Sequence, residues 1–179
     1  MTTLTAFVVL VALVALERVA EMVVSRRNAA WSFARGGRET GRGHYPVMVV
    51  LHTAFLVAML VEAVVRRPEV APALAWSMLA LVVLAQALRW WCIATLGPRW
   101  NTRVIVVPGL PPVRSGPYRF LSHPNYVAVV IEGIALPLVH ASWITAVSFT
   151  VLNAALLTVR LRVEDSALAS LPSRRPADA

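Results

Sequence analysis

Residues 126–159, YVAVVIEGIALPLVHASWITAVSFTVLNAALLTV, decide the fold. Two apolar runs, Tyr126–Val139 and Trp143–Val159, are separated only by His140, Ala141 and Ser142, so the pair reads as a tight helical hairpin that dips through a bilayer and returns. Working outward, Leu4–Val24, Val47–Val65 and Ala73–Leu96 each supply the roughly 20 mostly apolar residues that a spanning helix needs. The pattern predicts an all-α integral membrane protein of five transmembrane helices, the last two a helical hairpin. A single domain covers residues 1–171, and residues 172–179 read as a disordered tail.

Composition supports a bilayer environment. Hydrophobic residues make up 58% and charged residues 15%, against about 25% charged in a typical soluble domain, and the mean hydropathy is +0.68. All 17 basic residues are arginines, a usage that fits a GC-rich genome. The net charge of +8 is not a nucleic-acid signature, because the arginines cluster in short loops between apolar segments rather than along one polar face. Anionic lipid headgroups and membrane orientation account for them better. Arg26, Arg27, Arg35, Arg38 and Arg42 fall in the first loop. Arg99, Arg103, Arg114 and Arg119 fall in the third, and Arg160, Arg162, Arg174 and Arg175 follow the last helix, while the second loop has only Arg66 and Arg67. The positive-inside rule then predicts a multi-pass protein of the bacterial inner membrane with the N-terminus outside and the first loop, third loop and C-terminus cytoplasmic. Met1–Leu16 is apolar, without the basic start of a signal peptide, and is expected to remain as the first helix. The single cysteine, Cys92, allows no intramolecular disulfide and no thiolate metal site; core packing is its expected role.

Helix breakers fill the third loop: Gly97, Pro98, Pro108, Gly109, Pro111, Pro112, Gly116, Pro117 and Pro124, with Thr102–Val107 a candidate extended stretch. So long an irregular segment in so compact a chain is expected to build a site. Its densest run is Gly116-Pro117-Tyr118-Arg119-Phe120-Leu121-Ser122-His123-Pro124-Asn125-Tyr126. Pro124 suits the first turn of the fourth helix, which places His123 or Ser122 at the cap and turns free backbone amides toward any bound anion. A second cluster, Arg160-Leu161-Arg162-Val163-Glu164-Asp165, ends the fifth helix, with Arg160 and Glu164 on one face. Because the hairpin brings its two ends together, His123, Tyr126, Arg160 and Glu164 are predicted to converge on one pocket under the loop. Spacing alone is equally compatible with an interfacial arginine belt and its charge pairs.

Gly116-Pro117-Tyr118-Arg119, then His123-Pro124-Asn125-Tyr126, then Arg160 with Glu164-Asp165 after one more helix, resembles the C-terminal signature of the isoprenylcysteine carboxyl methyltransferase family. The resemblance covers about the last half of the chain, residues 97–168 carrying the catalytic loop and hairpin. It implies a cytoplasmic loop that binds S-adenosyl-L-methionine through Gly116, Tyr118, Arg119, His123, Pro124, Asn125, Tyr126 and Glu164, with a lipophilic acceptor entering from the membrane. Glu39, His44-Tyr45-Pro46 and His52 look more like a bacterial branch that includes alkylresorcinol and alkylpyrone (type III polyketide) O-methyltransferases. Asp165 stands where a second glutamate is common in the family, and the chain lacks the tyrosine-bearing tail of the eukaryotic enzymes, which argues against prenylated-protein carboxyl groups.

The implied cofactor matches the chemistry of these residues. A sulfonium donor needs aromatic or acidic groups for its cations and amide or basic donors for its carboxylate. Tyr118 and Tyr126 suit the sulfonium, Glu164 the ammonium, the amides near His123 the carboxylate, and the His123 ring the adenine edge. Methyl transfer needs alignment and exclusion of water rather than a metal. Arg160 is placed to orient an acceptor anion; His44 is a candidate base where the acceptor is a phenol, or an interfacial histidine bonding headgroups. Glu17 and Glu21 share one face of the first helix, Gln86 and Arg89 lie in the third, Arg89 is expected to bond Glu132 between helices, and His52 and Glu62 suit packing as readily as substrate contact. Trp90, Trp91 and Trp100 fit an aromatic belt. No dinucleotide-binding turn, Walker motif, zinc spacing or nucleophile elbow is present. The rivals are a membrane reductase using NADPH, held by Arg114, Arg119, Arg160 and Arg162, and a non-catalytic membrane scaffold.

Overall fold

The computed structural model describes residues 3–169; the predicted tail lies outside them. Five α-helices carry these residues: α1 (Thr3–Phe33), α2 (His44–Arg66), α3 (Pro72–Leu96), α4 (Pro124–Leu138) and α5 (Trp143–Ala169). By length and composition α2, α3 with the turn that follows it, and α5 are each able to cross a membrane. The apolar α4, with 15 residues, is shorter than a full span, and α1 carries Glu17, Arg18 and Glu21 in its middle.

The helix ends follow local chemistry. Pro72 opens α3 within its first turn, and Gly97, at φ +53, closes it. The turn at residues 139–142 joins α4 to α5 as the sequence predicts. The start of α5 is held by Glu62 of α2, whose carboxylate accepts from the backbone amides of Ile144 (3.1 Å) and Thr145 (2.8 Å) and from the Thr145 hydroxyl (2.7 Å). Glu62 thus anchors the hairpin. Gly133 lets α4 and α5 meet closely, since a Cβ there would lie 2.5 Å from the Phe149 ring. Phe7, Val11, Phe55, Met59, Leu136 and Phe149 from four helices form the apolar core around this end.

Two helices run further than hydropathy predicts. The extension of α1 to Phe33 places Arg26 and Arg27 on a helix rather than in a loop. Its polar face has partners in the third loop: the Asn28 side-chain amide donates to the Gly97 (3.1 Å) and Trp100 (2.7 Å) carbonyls, and the Ser25 hydroxyl lies 2.8 Å from that of Thr102. The extension of α5 to Ala169 likewise makes Arg160 and Arg162 helical. The chain is mostly helical, but a small ribbon corrects the all-α expectation. Strand β1 (Arg38–Thr40) pairs antiparallel with β2 (Val104–Val106), Glu39 opposite Ile105, so the first and third loops are stitched together and the extended stretch predicted at Thr102–Val107 supplies one edge.

Within the bundle, Arg89 donates to Glu132 at 2.7 Å, the expected bond between helices, and lies 3.7 Å from Glu21. Arg18 reaches Glu21 at 3.0 Å and Glu132 at 3.8 Å. Glu17 accepts from the Trp90 indole (2.6 Å) and from Gln86. Charges at this depth persist because opposite charges surround them.

Candidate functional site

The third loop is a fold-back whose two ends are pinned to α3. Gly116 sits at φ +54, and a Cβ there would lie 2.4 Å from the Thr95 hydroxyl, so only glycine lets the 3-10 turn at Gly116–Arg119 rest on α3. The turn directs Tyr118 toward the buried Cys92 thiol; burial, reinforced by that neighbour, pushes the Tyr118 phenol well above its ordinary value. Between these pins the loop roofs a cavity of about 220 Å³. Val104–Val107 and the segment Leu110–Val113 form one side, and Asn125, Tyr126, Arg160 and Glu164 the other.

The two predicted clusters meet here. The Tyr126 hydroxyl donates to Glu164 (2.5 Å). The His123 ring stacks on Tyr126 with centroids 5.5 Å apart, its Nδ1 3.7 Å from Glu164 and its Nε2 3.2 Å from Asp165. Asp165 therefore reaches the histidine as well. The Glu164 carboxylate, with the Asp165 charge beside it, raises the His123 imidazole above its usual value against the opposing effect of burial. Arg160 is 6% exposed; one amino group donates to the Thr102 carbonyl (2.9 Å), the other contacts the Met48 sulfur, and the guanidinium lies 5.5 Å from the Tyr126 ring centre. The arginine is held by the loop, α2 and α4 together, which fixes its position at the cavity wall.

Of the residues proposed from sequence, Tyr118, His123, Asn125, Tyr126, Arg160 and Glu164 line the cavity. Gly116 and Pro124 shape the backbone instead, and Arg119 is exposed, its guanidinium 5.8 Å from the Phe120 ring centre. His44 is not on the lining. It packs against Gly41, where a Cβ would fall 2.3 Å from its ring and 2.7 Å from Val163, and stands one turn before Met48, which touches Arg160. The amides of the first turn of α4 offer less than predicted: Pro124 has none, and those of Tyr126 and Val127 both return to the His123 carbonyl, leaving that of Asn125.

Sequence reading missed the other wall. Ser32, Trp100, Asn101 and Arg103 line the cavity. Trp100, expected in the aromatic belt, is 2% exposed, because the 3-10 turn at Gly97–Arg99 folds it beneath Asn28. Arg103 lies 3.7 Å from Glu39 and 5.1 Å from the Tyr45 ring centre, tying the ribbon to the start of α2. The extended stretch expected at Thr102–Val107 was the one signal of this wall. Of the four arginines a nicotinamide phosphate would call for, Arg160 alone lines the cavity; Arg114, Arg119 and Arg162 are exposed.

The family model described as the isoprenylcysteine carboxyl methyltransferase (ICMT) family matches residues 78–170, the segment that carries most of α3, the loop and the hairpin. The uncharacterized protein YpbQ of Bacillus subtilis (strain 168) is 37% identical over 163 residues, 90% of this chain and 96% of its own. An uncharacterized protein of Haemophilus influenzae is 26% identical over 149 residues, 83% of this chain and 86% of its own. No solved structure matches. Neither relative's name carries an activity, so the polyketide branch draws no support from them. The matched segment spans more than half of the sequence and contains both clusters of the site, and the chain belongs to the isoprenylcysteine carboxyl methyltransferase family.

Proposed function

We propose that this membrane methyltransferase is S-adenosyl-L-methionine-dependent, crosses the inner membrane with all five helices, and works at the cytoplasmic face on a carboxyl or a phenolic or enolic hydroxyl of a long-chain or prenylated lipophile. The observation that carries the reading is the meeting of His123, Tyr126, Arg160 and Glu164 on one wall of a loop-covered cavity.

The residues present suit the cofactor. The Asn125 side-chain oxygen is buried without a hydrogen-bond partner, as are Arg160 Nε and the Trp100 indole nitrogen. An acceptor, a cationic donor and a neutral donor left open around one cavity match a ligand that has amines, a carboxylate and ribose hydroxyls. Glu164 would take the ammonium, Asn125 an amine or hydroxyl, and the Tyr126 face the sulfonium. The cofactor, when bound, supplies a methyl group on a positively charged sulfur.

The chain's own part is placement. Arg160, immobilised by Thr102, Met48 and Tyr126, holds an acceptor oxyanion by charge and by hydrogen bonding. The loop keeps water from the reacting atoms. A carboxylate acceptor is already ionised at neutral pH, whereas a phenol, at about pKa 10, needs Arg160 beside it or a base. His44, adjacent to the Arg160 contact on α2, is the proposed base for that case.

Calorimetry on the detergent-purified protein tests the reading: saturable binding of S-adenosylmethionine and none of NADPH is expected, and NADPH binding alone would sink it. Replacing His44 by Ala is expected to spare cofactor binding and to slow methylation of a phenol by about 100-fold or more. Equal rates on phenol and carboxylate acceptors in that variant would remove His44 from the mechanism.

A further inference from the structure

One helical turn along α2 from Met48 lies a second cavity, of about 20 Å³, bounded by Arg18, His52, Arg89 and Glu132 and rimmed by half-buried Leu56 and Val129. It belongs to no part of the methyl-transfer site. Its volume admits one polar group the size of a water molecule.

The walls specify what that group must do. His52 Nδ1 lies 2.9 Å from the Met48 carbonyl, which only accepts, so the ring proton sits on Nδ1 and the neutral ring offers Nε2 as an acceptor. Glu132 adds a second acceptor. Arg89, 6% exposed, turns its Nε toward Glu21 at 3.7 Å, whereas Arg18 Nε is buried without a hydrogen-bond partner. One unused donor and two acceptors thus belong to the residues that line one small space.

Charge narrows the occupant. Glu17, Glu21 and Glu132 surround Arg18 and Arg89, so an anion would add to an excess of negative charge, while a cation would be set against two guanidinium groups. A neutral group that donates and accepts at once satisfies both walls, and that is a hydroxyl. The apolar rim allows the hydroxyl to be carried on an alkyl chain, because Leu56 and Val129 are themselves partly exposed.

We propose that this cavity is a second ligand site, binding the hydroxyl of a lipophilic alcohol whose chain leaves over Leu56 and Val129 toward the lipid. Water alone is the competing occupant. The test is thermal unfolding of the full chain in phosphatidylcholine nanodiscs, with 1-dodecanol or dodecyl methyl ether at equal membrane concentration. The alcohol is expected to raise the midpoint saturably by about 2–4 °C over the ether, which cannot donate. That difference should vanish in His52→Phe, which removes the acceptor, and in Leu56→Phe, which fills the cavity from outside the ion-pair cluster and decides the matter where His52→Phe fails to fold. Equal midpoints for alcohol and ether in the wild type would assign the cavity to water and overturn the proposal, as would a difference that survives Leu56→Phe. No methyl donor enters the measurement, so its failure leaves the methyl-transfer reading untouched.

Discussion

Two groups of charge lie between the helices, and they are completed in different ways. Around Arg89, a charge on one helix meets an opposite charge on another: Glu132 of α4 at 2.7 Å and Glu21 of α1 at 3.7 Å. Around Arg160, the groups are supported from behind and left open in front. Tyr126, Glu164 and His123 bond one another, yet Glu164 and Asp165 keep 31% and 64% of their side chains exposed, and Asn125 and Arg160 retain unpartnered atoms beside the cavity. Both groups border a space, but the second opens on the larger one, about 220 Å³ against about 20 Å³, and keeps more of its carboxylates exposed. Depth and charge do not by themselves mark a site; incomplete pairing facing a space does.

The comparison breaks most visibly at Arg89. Replacing it with Leu leaves Glu21 and Glu132 to share Arg18, at 3.0 and 3.8 Å, and a buried pair that loses one partner costs up to about 3–5 kcal/mol. The expected result is a marked loss of folded, monodisperse protein on size-exclusion chromatography, largely recovered in Arg89→Leu/Glu132→Leu. A stable single variant would show that this cluster does not hold the helices. Glu164→Gln is expected to behave oppositely: the fold is retained and affinity for S-adenosylmethionine falls about 10–100-fold, the loss of one charge-assisted hydrogen bond. Unchanged affinity in that folded variant would free Glu164 from the ammonium.

This division also explains what was legible beforehand. The hairpin could be read because two apolar runs flank only three residues, and the meeting of His123 and Tyr126 with Arg160 and Glu164 follows once the hairpin is drawn. The Arg89–Glu132 bond was legible because charge among apolar neighbours demands a partner. The polar end of α1 was not, since Ser25 and Asn28 are satisfied by residues 97–102, far away in sequence. The ribbon, the buried Trp100 and the Arg103 wall share that cause: each depends on two loops meeting, which no local pattern announces. The first turn of α4 was misread for a different reason, because a cap position does not reveal that Tyr126 and Val127 turn their amides back on the His123 carbonyl.

The smallest expected effect sharpens the comparison, because it should appear at the open cluster alone. The His123 imidazole is raised by Glu164 and then by Asp165, so in the folded protein it holds its proton to higher pH than the free side chain, whose value is about 6.5. The stabilisation is therefore fully present below about pH 6.5 and is lost as pH rises through the folded value, since the unfolded chain gives up its proton first. The pair borders a cavity and Asp165 is largely exposed, which limits the contribution to about 0.5–1 kcal/mol. Thermal unfolding from pH 6 to 9 should show a shallow decline of that size for the wild type, flattened in His123→Asn and unchanged in slope in Leu56→Phe. A decline of equal slope in His123→Asn would place the titrating group elsewhere and leave His123 held to Tyr126 by stacking, with its charge contributing nothing measurable.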